Sequence, residues 1–449
     1  MNKRDFKKYM KQGLGRCALV LKSSLTPEKY KEIVLWGCLH NLSYDTQSEG
    51  TRSRYIYKLT TFFDDEEYFV SAIVNRFNTV PRQQDWLFSH LCQLLCYFVE
   101  QGNKMAQNAL FERYDMLLSA LSEKRRYRGY DFERDNFERL CVALTSLGGT
   151  KILLKIASDL GGLFNKNKRY SADDFDWLCD SLGGFFEGGG LDAFLRKESK
   201  RSTNVACFYE QYKKTNEKHR DILRKPPLLP SSDDIINELN SKKTISPSLK
   251  AIFLKRAEKT EKRRLAKLAI EEDDIYKKAE LLSVFKYSKD SFPLPVKPLI
   301  EYARLYNTEL QENCLEILIN CRDDEIRSLA QDLLKSGYFI SYAIQMLITN
   351  YRESDKKLLL NALYSLDVDY TEKSFWHSVG MSILNASDRG VKLPKEFFIY
   401  IYETTLCSCC RENAVRALGK SRQLSKDIIE ECRFDSNYDI VQYVNRYHP

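Results

Sequence analysis

One stretch of the sequence combines side chains that bind anions with side chains that offer a flat aromatic face. Its five candidate residues are Arg125, Arg126, Tyr127, Arg128 and Tyr130. Guanidinium groups bind phosphates and carboxylates through paired N–H donors, and a tyrosine ring can stack on a ligand. This stretch is therefore the strongest single binding candidate in the sequence. The alternative interpretation is a solvated loop in which the arginines pair with nearby carboxylates.

Two further polar stretches are candidates for binding. The first supplies the cations Lys166, Lys168 and Arg169. The second is dense in side chains that donate and accept hydrogen bonds, and its candidate residues are Asp45, Gln47, Glu49 and Arg52. Capping of the following helix by a serine or threonine explains part of the second pattern without any ligand.

Side chains for acid–base catalysis and for metal binding do not stand in a known pattern. None of the five histidines belongs to a zinc-protease motif, and the chain has no P-loop or serine-hydrolase motif. The sequence Cys407-Ser-Cys409-Cys410, with Cys432 further on, offers thiols, which are the ligands zinc prefers. It lacks the paired C-x-x-C spacing of structural zinc sites. We therefore predict packed thiols, no metal and no cofactor.

These side chains must be positioned by helices that carry an internal repeat. Three copies of the motif Phe-x-x-Leu-Cys begin at Phe88, Phe137 and Phe175. In a helix the Phe, Leu and Cys of this motif lie on one face, which predicts that they are buried. The copies are 49 and 38 residues apart, and these spacings bracket the period of roughly 40 to 47 residues of HEAT and armadillo repeats.

Glycines follow each of these helices and predict turns. They are Gly102, Gly148 with Gly149, and Gly183 with Gly184. If these turns lie on one edge of a stack of helix pairs, the longer loops between pairs lie on the other edge. Those loops are residues 43–50, 79–84, 123–135 and 165–173. The sequence therefore predicts one loop edge that holds all the candidate binding residues.

The C-terminal part contains short amphipathic helices that cannot bury their own apolar sides. Its pattern comprises Arg411, Ala414, Val415, Ala417, Leu418 and Gly419, followed by Asp435, Asp439, Ile440 and Val441. This pattern resembles the HEAT-repeat family. Segments 313–319, 358–364 and 413–419 share it at offsets of 45 and 55 residues. The resemblance implies an all-α fold, namely an α-solenoid of stacked antiparallel helix pairs in two halves, and it implies no reaction.

The predicted organisation has four parts. They are a basic N-terminal arm (1–26), an N-terminal HEAT-like solenoid (27–212), a proline-containing connector (213–247) and a C-terminal HEAT-like solenoid (248–449). A strongly basic helix is predicted over residues 248–270. Its cations at helical spacing are Lys255, Lys259, Lys262, Arg263 and Lys267. They could meet nucleic acid or an acidic partner, and a solvated outer face is the alternative.

The net charge of +8 is concentrated in residues 1–31 and 196–225. A nucleic-acid-binding protein usually spreads its basic residues along one face, and this pattern is not evident here. Apolar runs such as residues 94–99 are too short to cross a bilayer, and the N-terminus lacks a signal-peptide pattern. Thirteen cysteines in such a chain predict reduced thiols. We therefore expect a soluble cytoplasmic protein that does not enter a membrane.

These observations favour a non-enzymatic scaffold that binds a protein partner through a concave surface and the loop edge. The first alternative is nucleic-acid binding of a DNA-repair kind, because some HEAT-like proteins are base-excision glycosylases, although no catalytic motif of that group is present. The second alternative is an enzyme of unfamiliar type with a site between the two halves. The sequence predicts no oligomeric state.

Overall fold

The computed structural model describes residues 1–81, 83–123, 131–167, 170–186, 190–224, 229–286, 288, 290–305, 308–365 and 373–448, with the backbone alone for 218–224, 308, 373 and 374. These residues form 26 α-helices and no β-strand, which confirms the all-α prediction. Three short 3-10 helices are also present, at Pro27–Tyr30, Ala172–Phe175 and Glu353–Asp355.

The helices are numbered in chain order. The first twelve are α1 (Lys3–Gln12), α2 (Arg16–Ser23), α3 (Lys31–Cys38), α4 (Thr46–Glu49), α5 (Ser53–Thr60), α6 (Glu66–Thr79), α7 (Asp85–Glu100), α8 (Lys104–Glu123), α9 (Phe132–Lys166), α10 (Asp176–Gly183), α11 (Gly190–Glu198) and α12 (Thr203–Arg224). The next seven are α13 (Ser232–Lys242), α14 (Pro247–Arg256), α15 (Lys259–Glu271), α16 (Ile275–Ser283), α17 (Lys297–Ala303), α18 (Thr308–Leu318) and α19 (Asp324–Ser336). The last seven are α20 (Ile340–Thr349), α21 (Lys356–Ser365), α22 (Lys373–Asp388), α23 (Lys395–Thr404), α24 (Ser408–Lys420), α25 (Lys426–Cys432) and α26 (Tyr438–Tyr447).

The chain divides into two compact units. The first contains Met1–Lys225, Leu406–Cys409 and Ser425–Pro449, and the second contains Pro226–Thr405 and Cys410–Leu424. This division differs from the predicted segments, because the last helices, α25 and α26, belong to the same unit as the N-terminus. The predicted connector, residues 213–247, carries the end of α12 and the whole of α13.

The repeated motif builds the core of the first unit. Phe88, Phe137 and Phe175 are fully buried, as the motif predicts. The Phe88 ring stacks on Phe77 at a centroid distance of 5.1 Å, and Phe137 meets Phe175 edge to face at 6.4 Å. Helix α7 packs against α5, α6, α8 and α9, and α9 packs against α10 and α12. One continuous apolar cluster therefore joins helices that are close in sequence.

Helix α9 bends where the sequence predicts a turn. Gly149 has φ 55° and ψ −137°, a conformation that glycine adopts without strain, and it divides α9 into two arms. By length and composition α9 is the one described helix that could cross a membrane. Both arms nevertheless contribute buried side chains to the core of this unit, including Leu140 on the first arm and Leu160 on the second.

The predicted basic arm is part of the core of the first unit. Phe6 of α1 is fully buried and stacks on Tyr30 at 4.2 Å. The C-terminal segment packs against this region, because the Ser436 N–H donates to the Gly13 carbonyl at 2.9 Å. The backbones approach closely there, since a Cβ atom added at Gly15 would lie 1.9 Å from a carbonyl oxygen of α25. The arm is therefore helical and covered.

In the second unit, the prediction of one basic helix over 248–270 is wrong. Helix α14 ends at Arg256 and α15 begins at Lys259. Ala257 and Glu258 between them have extended backbones, with ψ angles of 144° and 156°. Helix α15 packs against α13 and α16.

Candidate functional site

Two tryptophans and an arginine form a distinctive group in the first unit, in which Trp177 is exposed and the other two side chains are partly buried. Trp86 lies at the start of α7, Arg139 on α9 and Trp177 at the start of α10. The Arg139 guanidinium lies 3.9 Å from the centroid of the Trp86 ring and 5.6 Å from that of Trp177. Arg139 also donates to the Asp85 carboxylate at 2.7 Å. These contacts hold a cation over both rings, and Trp177 remains 50% exposed.

The repeat motif explains why these residues point away from the core. Arg139 and Trp177 occupy the same variable position, the second x of Phe-x-x-Leu-Cys, in successive copies. The first x is Glu138 in one copy and Asp176 in the next. In a helix the second x lies opposite the face of Phe, Leu and Cys, and Arg139 and Trp177 reach the surface there. Glu138 is itself buried, and so is His90, which occupies the second x of the first copy. Packing of the repeats therefore aligns these variable side chains beside one another.

A cleft of about 620 Å³ adjoins this group and is predominantly acidic. Its described lining residues contain five carboxylates and two guanidinium groups. They are Asp135, Glu138, Asp173, Asp174 and Asp176, with Arg134 and Arg139. Gln47, on the short helix α4, completes the polar lining. Residues from all four predicted inter-pair loops, or from the helix starts that follow them, thus meet at one cleft.

The carboxyl group of Glu138 is the most perturbed acid of this cleft. Burial raises its pKa from the ordinary 4.5 to about 8, although the Arg134 guanidinium, 3.4 Å from its Oε1, acts in the opposite direction. The Oε2 atom accepts the Leu178 N–H at 3.1 Å, which ties α9 to α10. Below pH 8 this carboxyl therefore holds a proton.

Replacing Glu138 by glutamine is expected to change how stability depends on pH. The Glu138 carboxyl loses its proton near pH 4.5 in the unfolded chain but keeps it to about pH 8 in the folded protein. The stabilisation that this proton gives the folded protein is therefore complete below pH 4.5 and is lost as the pH rises toward about 8. We expect the free energy of unfolding to fall by up to roughly 5 kcal/mol over this range in the parent. Glu138→Gln should abolish that part of the decline. Urea unfolding from pH 4.5 to 8.5 measures it, and parallel pH profiles for the two proteins would contradict the assignment.

A second cavity, of about 470 Å³, shares Trp86, Arg139 and Trp177 with the acidic cleft. Its remaining described lining residues are mostly uncharged. They are Thr46, Gly50, Thr51, Ser89, Gln93, Cys96, Tyr97, Glu100, Val142, Ala143 and Ser146. The Gln93 Oε1 atom accepts hydrogen bonds from the Thr51 and Ser53 hydroxyl groups. The tryptophan pair thus separates an acidic cleft from a neutral, hydroxyl-rich one.

The predicted polar loop at residues 43–50 forms an internal network. The Asp45 carboxylate caps α4 by accepting the Gln47 N–H at 3.0 Å. Glu49 and Arg52 form an ion pair at 3.1 Å, with 1% and 3% of their side chains exposed. Arg52 also donates to the Lys11 and Leu406 carbonyl oxygens. Of the four predicted residues, Gln47 lines the cleft, Asp45 caps α4, and Glu49 and Arg52 connect segments of the first unit.

The remaining predicted residues are placed as follows. Lys166 is exposed at the end of α9. Outside the described residues lie Arg125, Arg126, Tyr127, Arg128, Tyr130, Lys168 and Arg169. The two tryptophans and Arg139 are not among the residues predicted from the sequence. The variable positions of the repeated motif were a signal for Arg139 and Trp177, and Trp86 precedes the first copy of the motif.

The cysteines of the C-terminal pattern are divided between the units. Cys407 and Cys409 belong to the first unit and Cys410 to the second. Within the second unit the Cys410 sulfur lies 3.5 Å from the His377 Nδ1 atom. In the cores, burial raises the pKa of the Cys96 and Cys314 thiols to about 12. These buried thiols are therefore protonated and pack as small apolar groups.

Comparisons with known proteins add little to this geometry. No protein-family model and no curated protein matches the chain. One similar solved structure is described as the crystal structure of an engineered protein. It is 12% identical, the match covers 99% of each chain, and the TM-score is 0.21. A similarity of this size carries no argument about fold or function.

Proposed function

We propose that this protein is a non-enzymatic helical-repeat scaffold whose first unit binds a basic segment of a protein partner. The observation that carries the proposal is the acidic cleft beside the exposed Trp177 ring. A HEAT-like solenoid arrangement is part of the proposal. It is supported by the buried repeat motif and by the packing of α7 and α9 against helices close in sequence.

The chemistry of the cleft favours a cationic ligand. Burial keeps Glu138 protonated at neutral pH, so the four aspartates of the cleft stand against two guanidinium groups and still leave an excess of negative charge among the described lining residues. Arg139 already shows how a guanidinium is held there, with an aromatic face at 3.9 Å and a carboxylate at 2.7 Å. The exposed Trp177 ring and the neighbouring Asp176 offer the same combination to a partner's arginine or lysine.

Nucleic acid fits this cleft less well. Phosphate groups would meet carboxylates there, and like charges repel at short distance. The basic residues of the N-terminal arm are also used within the unit, since the Lys7 and Lys11 ammonium groups lie 3.9 and 5.3 Å from the Trp36 ring centroid. A gel-shift series over increasing salt tests the alternative, because phosphate contacts give an affinity that falls steeply with salt.

Trp177→Ala is expected to weaken binding of a basic peptide by at least about tenfold, since exposed tryptophans anchor many interfaces. The probe is a fluorescent peptide of alternating arginine and serine, measured by anisotropy against a peptide with glutamate in place of arginine. The full-length parent should bind the arginine peptide and not the glutamate peptide. Equal binding of the two peptides would overturn the proposal.

A matched control exists just beyond the same helix. Phe185 follows the other end of α10 and is 44% exposed, close to the exposure of Trp177. Phe185→Ala should leave peptide affinity within about twofold of the parent. An equal loss in both variants would indicate a general effect on α10. Affinity capture from cell extract, with and without nuclease, then distinguishes partners bound directly from partners held through nucleic acid. Loss of every partner after nuclease treatment would favour the nucleic-acid alternative.

A further inference from the structure

The second unit contains its own cavity, which the proposed partner-binding function does not use. Its volume is about 450 Å³, within the range of roughly 300 to 1,000 Å³ typical of small-molecule sites. The floor is apolar, because Phe285, Phe292 and Ile317 line it and are 3%, 8% and 3% exposed. The two phenyl rings meet edge to face at 5.2 Å. An apolar group entering the cavity would therefore meet preformed aromatic walls.

Three cations of α15 line the same cavity, and they are Lys259, Lys262 and Arg263. Among the described lining residues, Asp290 is the one carboxylate. The Lys262 ammonium donates to the Leu254 carbonyl at 2.5 Å, which fixes it beside the cavity wall. The cavity thus combines an apolar floor with an excess of positive charge.

The cations of α15 that line the cavity differ from the others in whether a carboxylate lies close to them. Away from the cavity, Arg264 pairs with Asp233 at 2.7 Å and Lys267 lies 3.7 Å from Glu271. Within the described part of the chain, none of the three cavity-lining cations has a carboxylate within 4.0 Å. The cations that line the cavity are thus not neutralised by carboxylates of the described residues, and their charge is available to a ligand.

We propose that this cavity binds a small amphiphilic anion. Its apolar body packs against Phe285 and Phe292, and its carboxylate or phosphate group lies among the three cations. The Arg263 guanidinium supplies paired N–H donors for such a group, and the two ammonium groups neutralise its charge. A bare inorganic anion would leave the apolar floor uncovered, and an uncharged aromatic molecule would leave the cations unused.

Three probes separate these chemistries with the full-length protein. They are 1-naphthyl phosphate, the uncharged 1-naphthol and inorganic phosphate, compared by isothermal titration calorimetry. Naphthyl phosphate should bind at least about tenfold more tightly than either of the other two, and its affinity should fall as salt is raised. Equal affinity for naphthyl phosphate and naphthol, or for naphthyl phosphate and inorganic phosphate, would overturn the proposal. A parallel titration with 1-naphthoate shows whether carboxylate or phosphate is preferred.

Variants of α15 locate the site. Lys259→Gln combined with Arg263→Gln removes two exposed charges and should weaken naphthyl phosphate binding at least about tenfold. Lys267→Gln on the same helix lies outside the cavity and should leave the affinity within about twofold. If the double variant binds as tightly as Lys267→Gln, the proposal fails. The protein–partner proposal is unaffected by that result, because its variants lie in the first unit.

Discussion

Replacing Arg52 by glutamine is expected to lower the free energy of unfolding by about 3–5 kcal/mol. The substitution removes the cation that neutralises Glu49, whose side chain is 1% exposed. It also removes the donor to the carbonyl oxygens of Lys11 and Leu406. The Glu49 carboxylate would keep the Asp45 N–H at 3.0 Å but lose its cation, and the two carbonyl groups would lose the Arg52 donor in a region closed to water. Urea unfolding measures the loss, and hydrogen exchange should show faster opening of α1 and α5.

A neighbouring arginine provides the control for this prediction. Arg54 is exposed, and its guanidinium lies 4.3 Å from the Tyr438 ring centroid. Arg54→Gln should lower stability by less than about 1 kcal/mol, as expected for an exposed cation–π contact. The double variant Glu49→Gln/Arg52→Gln should be less unstable than the sum of its single variants by about 1 kcal/mol or more. Strictly additive losses would contradict the ion-pair interpretation.

Replacing Gly161 by alanine is expected to destabilise the first unit by about 3 kcal/mol. Gly161 lies on the second arm of α9 where this helix contacts α12. A Cβ atom there would lie 1.8 Å from the Asn204 carbonyl oxygen, so the backbone of one helix must move. The separation of α9 and α12 would increase, and packing of the buried Phe208 of α12 against Phe164 would be lost. Thermal unfolding measures the effect.

The adjacent glycine makes the test specific. A Cβ atom at Gly162 would lie 3.3 Å from the nearest heavy atom, the Asn204 Nδ2 atom, which can move with its flexible side chain. Gly162→Ala should therefore stabilise the helix by about 0.5 kcal/mol, because alanine loses less conformational entropy than glycine. If both substitutions had the same effect, close approach of α12 at Gly161 would not be the cause.

Much of the first unit's core could be predicted from local pattern. The Phe-x-x-Leu-Cys spacing places Phe88, Phe137 and Phe175 on buried faces in any helix that packs on a neighbour, and all three are buried. The turns at Gly102 and Gly149 were also predictable, since both have a positive φ that side chains disfavour. These features depend on the periodicity of one helix and on single-residue backbone preferences.

The candidate site was less predictable, because its members are distant in sequence. Trp86 and Trp177 are brought to one cleft by the register with which α7, α9 and α10 pack. In the sequence, Arg52 and Glu49 are as strong candidates for binding as Gln47. Only the structure shows that Arg52 and Glu49 form a buried ion pair with each other, whereas Gln47 lines the cleft. Polar side chains look alike in a sequence whether they meet solvent or one another.

The sequence by itself determined that the chain is all-helical and which faces of its repeated helices are buried, because these depend on periodicity within a helix. Tertiary structure alone decided that residues 425–449 join the N-terminal unit, that the basic segment 248–270 is two helices, and that carboxylates gather beside Trp177. Each of these outcomes depends on contacts between residues distant in the chain, and no local pattern records which of several amphipathic helices will be the neighbour.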